Sequence, residues 1–86
     1  MDFNKSTVKT SKQTLTSSYV EVTEASGATS NVTLWSDVAW QLDVGNTVAG
    51  DSTAVSIPED MVVTLDPAPL NPVSAKGTGT LNIIRS

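Results

Sequence analysis

Val38, Trp40, Leu42 and Val44 occupy every second position between Asp37 and Gly45, and Asp37, Ala39, Gln41 and Asp43 fill the gaps. A period of two collects those four apolar side chains on one face of an extended strand. A helix would carry each member about 200° past the last and scatter them around its circumference. The segment from Asp37 to Gly45 therefore predicts a strand whose inward face is Val38, Trp40, Leu42 and Val44, and whatever this chain builds must offer that face a second apolar layer.

The rest of the chain repeats the pattern in shorter pieces. Leu15 to Val22 alternates, with Ala25-Ser26-Gly27-Ala28 as the following turn; Asn31 to Ser36 places Val32 and Leu34 opposite Thr33 and Trp35. Gly45 to Thr53 is a loop by content. Ala54 to Ile57 ends at Pro58, Glu59 and Asp60 turn the chain, and Met61, Val63 and Leu65 share a face. Pro67, Pro69 and Pro72 make 66–72 a stiff extended crossing. Val73 to Lys76 and Thr80 to Ile84 then flank Gly77-Thr78-Gly79 as a turn or bulge. With 11 Ser, 12 Thr and 11 Val and few helix-favouring fillers, the fold class is all-β: a small antiparallel β-sandwich or barrel of six to seven short strands.

Charge divides the chain. Residues 1–12 hold three lysines against Asp2, whereas residues 13–86 hold two basic and eight acidic residues, so the net −4 is a +2 end joined to a −6 body. Residues 1–14 read as an extended N-terminal arm and 15–86 as one domain. Phe3, Lys5, Val8, Lys9 and Lys12 are the arm's candidate partner contacts, expected to be mobile alone and ordered on an acidic neighbour. No apolar stretch resembles a signal peptide or a transmembrane helix, so a cytoplasmic site of synthesis is expected.

Chemistry is constrained by what is missing. The chain has no His and no Cys, which removes imidazole bases, thiolate nucleophiles and soft metal ligands, so no enzyme, no cofactor and no metal site is expected. Gly77-Thr78-Gly79 lacks the Gly-Lys-Ser/Thr ending of a phosphate loop. Glu59, Asp60 and Asp66 lack calcium-loop spacing and read as a solvated turn. An acidic body opposes nucleic acid. Of the two tryptophans, Trp40 belongs to the core face, while Trp35 stands between core edge and contact surface, where it is available to a partner or to a sugar ring.

The order of elements over 31–86 resembles the small β-sandwich virion proteins of tailed bacteriophages. The resemblance runs through Trp40 to Gly45, Ile57-Pro58-Glu59-Asp60 and Val63-Thr64-Leu65-Asp66. It is closest in Ala75-Lys76-Gly77-Thr78-Gly79-Thr80-Leu81-Asn82-Ile83. The N-terminal third carries none of it. It implies a multicopy, non-enzymatic capsid decoration or head- or tail-associated component whose partners are other virion proteins and further copies of itself, without nucleic acid or membrane. A carbohydrate-binding or host-adhesion module built on Trp35 is the competing expectation.

Overall fold

The computed structural model describes residues 8–26, 30–46, 48–69 and 72–86. They form two four-stranded antiparallel sheets. In chain order the elements are β1 (Lys9–Thr14), β2 (Val20–Glu21), a single helical turn α1 (Thr23–Ser26), β3 (Val32–Trp35), β4 (Trp40–Val44), β5 (Val55–Ile57), β6 (Val63–Leu65), β7 (Val73–Gly77) and β8 (Thr80–Arg85). Sheet A runs β1-β8-β3-β6 and sheet B runs β2-β7-β4-β5. The all-β sandwich expected from the alternation is present, with eight described strands. None of the described helices is long and apolar enough to cross a membrane.

The two inward faces meet in one core. Leu34, Leu81, Ile83, Val32, Val73 and Val22 are fully buried, and Trp40, Leu42, Ile57 and Leu15 are nearly so. Each comes from the inward parity of its strand or from a crossing between sheets, as the period of two demands. Trp40 is 2% exposed, between Gly77 on β7 and Ile57 on β5 in register.

Two members of the predicted core face lie elsewhere. Val38 precedes β4 in the bend that carries the chain from sheet A to sheet B, and is only half-buried. Its Cγ2 lies 2.6 Å from where a Gly79 Cβ would stand, so it packs over the β7–β8 connection rather than between the sheets. Val44 is 37% exposed at the end of β4, beyond the last residue that pairs with β5. The region from 15 to 22 is likewise shorter as a strand than its alternation suggests. Thr16 and Ser18 form a hydroxyl-closed bend that carries the chain between sheets, leaving β2 only two residues. Ala25, expected in a turn, is instead buried within α1; Gly27 and Ala28 lie outside the described residues.

The larger correction concerns the N-terminal arm. Lys9–Thr14 is not an arm but β1, paired along its whole length with β8 from Lys9↔Arg85 to Thr14↔Thr80. A polar strand suffices here because an edge strand is stabilised by its ladder and by β-branched threonines, while only Ser11 and Gln13 turn partly inward. The Leu15 amide donates to the Gly79 carbonyl at 2.9 Å in the same register. Antiparallel alternation then points the Ser11 and Gln13 amides at β8 and the Thr10, Lys12 and Thr14 amides away from it.

Three substitutions test this architecture in thermal or denaturant unfolding. Trp40→Ala should cost about 3–5 kcal/mol, whereas Val44→Ala should cost under about 1 kcal/mol. Gly79→Ala forces a Cβ into the stiff Val38 side chain and should cost about 1–3 kcal/mol. Equal losses at Trp40 and Val44 would mean that β4 is buried along its full length.

Candidate functional site

The outward face of sheet A brings together two of the residues that the sequence singles out, Lys12 and Trp35. Registers Lys12↔Asn82 and Trp35↔Asn82 set these three side chains in one row across β1, β8 and β3. A second row runs Thr10, Ile84, Thr33 and Thr64, with the Thr33 and Thr64 hydroxyls 3.2 Å apart. Together the outward positions of the four strands carry five threonines, Ile84, Asn82, Trp35 and Lys12, and no carboxylate. A hollow of about 240 Å³ opens among Thr10, Lys12, Trp35, Asn82 and Ile84.

The remaining arm candidates are placed differently. Lys9 has inward parity, and its ammonium lies 3.8 Å from Glu24 of α1, which also meets Arg85 at 2.9 Å. Lys9 thus helps to tie α1 to the β1–β8 pair and is not a free docking charge. Val8 precedes β1 and is 57% exposed. Phe3 and Lys5 lie outside the described residues.

Sheet B has a different character, organised by a group that strand alternation alone assigned to solvent. Asp43 turns outward from β4, yet it is 2% exposed because the 45–54 loop folds over it. Its carboxylate accepts from the Gly50 amide at 2.9 Å, from Thr53 Oγ1 at 2.8 Å and from Asn46 Nδ2. The backbone donor at Gly50, then Asn46 and Thr53, hold its carboxyl below the usual carboxylate range. Gly45 enters the loop at φ 85°, a left-handed conformation that favours glycine.

A second set of contacts anchors the far side of the loop. Lys76 Nζ lies 2.8 Å from Asp51 and 5.0 Å from the centre of the Tyr19 ring. Tyr19 Oη is 2.6 Å from Asp51 and 2.8 Å from Gln41 Oε1. A phenol has one proton, which goes to the carboxylate. Gln41 Oε1 is the second acceptor within reach of the same hydroxyl. Lys76 first and Tyr19 second lower the Asp51 pKa, while burial and the hydrogen bond to Asp51 push Tyr19 up to about 12.

These anchors hold an apolar tip in water. Val48, in the loop, is 85% exposed, and Val55, on β5 beyond it, is 59% exposed. Val44 and Val55 are diagonal neighbours on the same face of the β4–β5 pair. By residue content alone 45–53 is a plain loop. The available signal was Asn46, Gly50 and Thr53, three donors within ten residues of Asp43.

A larger hollow of about 470 Å³ lies where β4, β5 and β7 meet, lined by Trp40, Gln41, Ser56, Pro58, Lys76 and Thr78. Its charged group is already committed to Asp51, and Gln41 to Tyr19, so little is left there to recognise a ligand. Glu59 and Asp60 form the turn between β5 and β6, with Asp60 at φ 61°. Among the described residues no three acidic side chains are grouped to hold a metal ion.

The loop's anchors give a pH dependence with a definite sign. The Asp43 and Asp51 carboxyls are held below the ordinary aspartate range in the folded chain, so their contribution is present above about pH 4 and lost as pH falls below it. Tyr19 acts in the opposite range: its contribution is complete below pH 10 and lost as pH rises toward about 12. Protection of the Gly50 amide against hydrogen exchange, corrected for intrinsic rates, should therefore be flat between about pH 5 and 9 and fall on acidification. Asp43→Asn should remove most of that protection at every pH. Unchanged protection in this variant would show that the loop is held otherwise.

No family model matches the chain, and neither a curated protein nor a solved structure matches it.

Proposed function

We propose that this protein is a non-enzymatic structural component that acts by surface contact, and that its assembly is a tailed-phage virion, where it serves as a capsid decoration or a head- or tail-associated part. The observation that carries the contact role is the 45–54 loop. A buried carboxylate with three donors, backed by the Tyr19–Asp51–Lys76 anchor, holds Val48 in water at 85% exposure. A single exposed valine is ordinary; one held at a fixed position by a satisfied carboxylate and a second anchor is a preorganised contact, whose ordering cost is met before binding. The virion setting is supported by the sequence resemblance over 31–86.

The scale is reasonable for such a role. A stable interface buries at least about 1,000 Å² in total, or about 500 Å² from each side, roughly a tenth of this chain's 5049 Å². The β4–β5 hairpin with its loop is a natural centre for that area. Sheet edges offer a complementary route, since β1 presents an unpaired row of backbone groups along six residues. Partners are other virion proteins or further copies of the chain.

A second reading, a glycan-binding adhesion module, is favoured by one observation: Lys12, Asn82 and Trp35 share a carboxylate-free face.

In particles purified from a producing lysate, the protein should be present in many copies. Combining Val48→Asp with Val55→Asp should strip it from them while the sheet circular dichroism and melting midpoint stay close to wild type. A doubly substituted protein that incorporates at wild-type occupancy would reject the hairpin as the docking surface. A protein found only free, and monomeric, would reject the assembly role.

A further inference from the structure

We infer that the Lys12–Asn82–Trp35 row binds a sugar ring that carries a carboxylate, a hexuronate residue of an acidic glycan. The inference uses the outer face of sheet A and is independent of whether the β4–β5 hairpin docks on a particle.

The row has the parts such a ring requires, in sequence across three strands. Neighbouring strands lie about 4.8 Å apart, so Lys12 and Trp35 stand about 10 Å from each other with Asn82 between them. Trp35 is half-buried on an outward face, leaving part of an aromatic surface to take the C–H side of a pyranose. The Asn82 amide offers two donors and an acceptor, a match for neighbouring hydroxyls that each donate and accept. Among the described residues, neither this amide nor the Lys12 ammonium has a hydrogen-bond or ion-pair partner. The hollow between them, about 240 Å³, is smaller than the roughly 300–1,000 Å³ of sites for drug-sized ligands, which fits one ring rather than a chain of them.

Charge selects the kind of sugar. The chain is −4, yet the four strands of sheet A place no Asp or Glu on this face, whereas sheet B turns Glu21 and Asp43 outward. An anion approaching Lys12 therefore meets the least negative surface of the described strands. The ammonium acts as a point charge toward a ring carboxylate, while Trp35 and Asn82 hold the ring itself. The alternative role for Lys12 is that of a guard charge that keeps the β1 edge from pairing with other chains. A guard needs no aromatic neighbour and makes no distinction between a uronate and its neutral counterpart.

Nitrogen-15 NMR titration with galacturonate, galactose and sodium sulfate separates these roles. Galacturonate should shift the Trp35 Nε1–H and Asn82 Nδ2 signals and leave the buried Trp40 Nε1–H in place. Galactose should shift the same signals about two- to fivefold more weakly, the range expected for one exposed charge pair. Sulfate alone should not move Trp35. Lys12→Ala should abolish the preference for galacturonate, and Trp35→Ala should abolish binding of both sugars, with the Trp40 signal reporting that each variant is folded. Absence of shifts at Trp35 and Asn82 with either sugar would overturn the inference. So would a sulfate response equal to that of galacturonate, or a uronate preference that survives Lys12→Ala.

Discussion

β8 is the strand on which the sandwich depends. It pairs on one side with β1 and on the other with β3, so the first described strand and the last are neighbours, and sheet A has no continuity without it. Its inward residues Leu81 and Ile83 are 0% and 1% exposed, and they supply the middle of the layer that faces Trp40 and Val73. A short chain buries little surface per residue, and placing a six-residue strand in the interior of a sheet concentrates what burial there is. The same pairing decides the surface. Asn82 lies between Lys12 and Trp35 only because β8 lies between β1 and β3.

The two faces of the sandwich are thereby given different work. Among the described residues, the outer face of sheet A offers hydroxyls, the Trp35 indole and the unpaired Lys12 ammonium on strands without outward carboxylates. On sheet B, Asp43 and Lys76 are committed to the 45–54 loop. Three donors satisfy the Asp43 carboxylate and Lys76 pairs with Asp51, and those contacts fix the loop which raises Val48 into water. Burying a carboxylate is unfavourable unless its oxygens are satisfied, and here three donors from the loop satisfy them, so loop position and carboxylate burial enforce each other.

Where apolar residues alternated in a sequence segment, the structure was legible. β3, β4, β7 and β8 follow from Val32/Leu34, Trp40/Leu42, Val73/Ala75 and Leu81/Ile83, because period two has one solution once a second layer exists. Alternation failed at its margins. Val38 and Val44 fit the pattern of Trp40 and Leu42, but strand ends are set by where the facing sheet stops, which no local window contains. β1 was invisible for the opposite reason. Its six residues contain no apolar side chain, and its stabilisation comes from pairing with a segment some seventy residues away. Asp43 was read as solvent-facing by parity, correctly as to direction, yet a loop covers it. Trp35 and Lys12 were picked out separately; what joined them was Asn82, which carried no signal of its own.

The claim that β1 is an integral edge strand of sheet A underlies the binding row, and native-state hydrogen exchange across residues 9–15 tests it most directly. The Ser11, Gln13 and Leu15 amides should exchange slowly, with protection approaching that of β8, while the Thr10, Lys12 and Thr14 amides, which point away from β8, exchange rapidly. Uniformly rapid exchange through Thr14 would return this segment to a mobile arm and dissolve the Lys12–Asn82–Trp35 row.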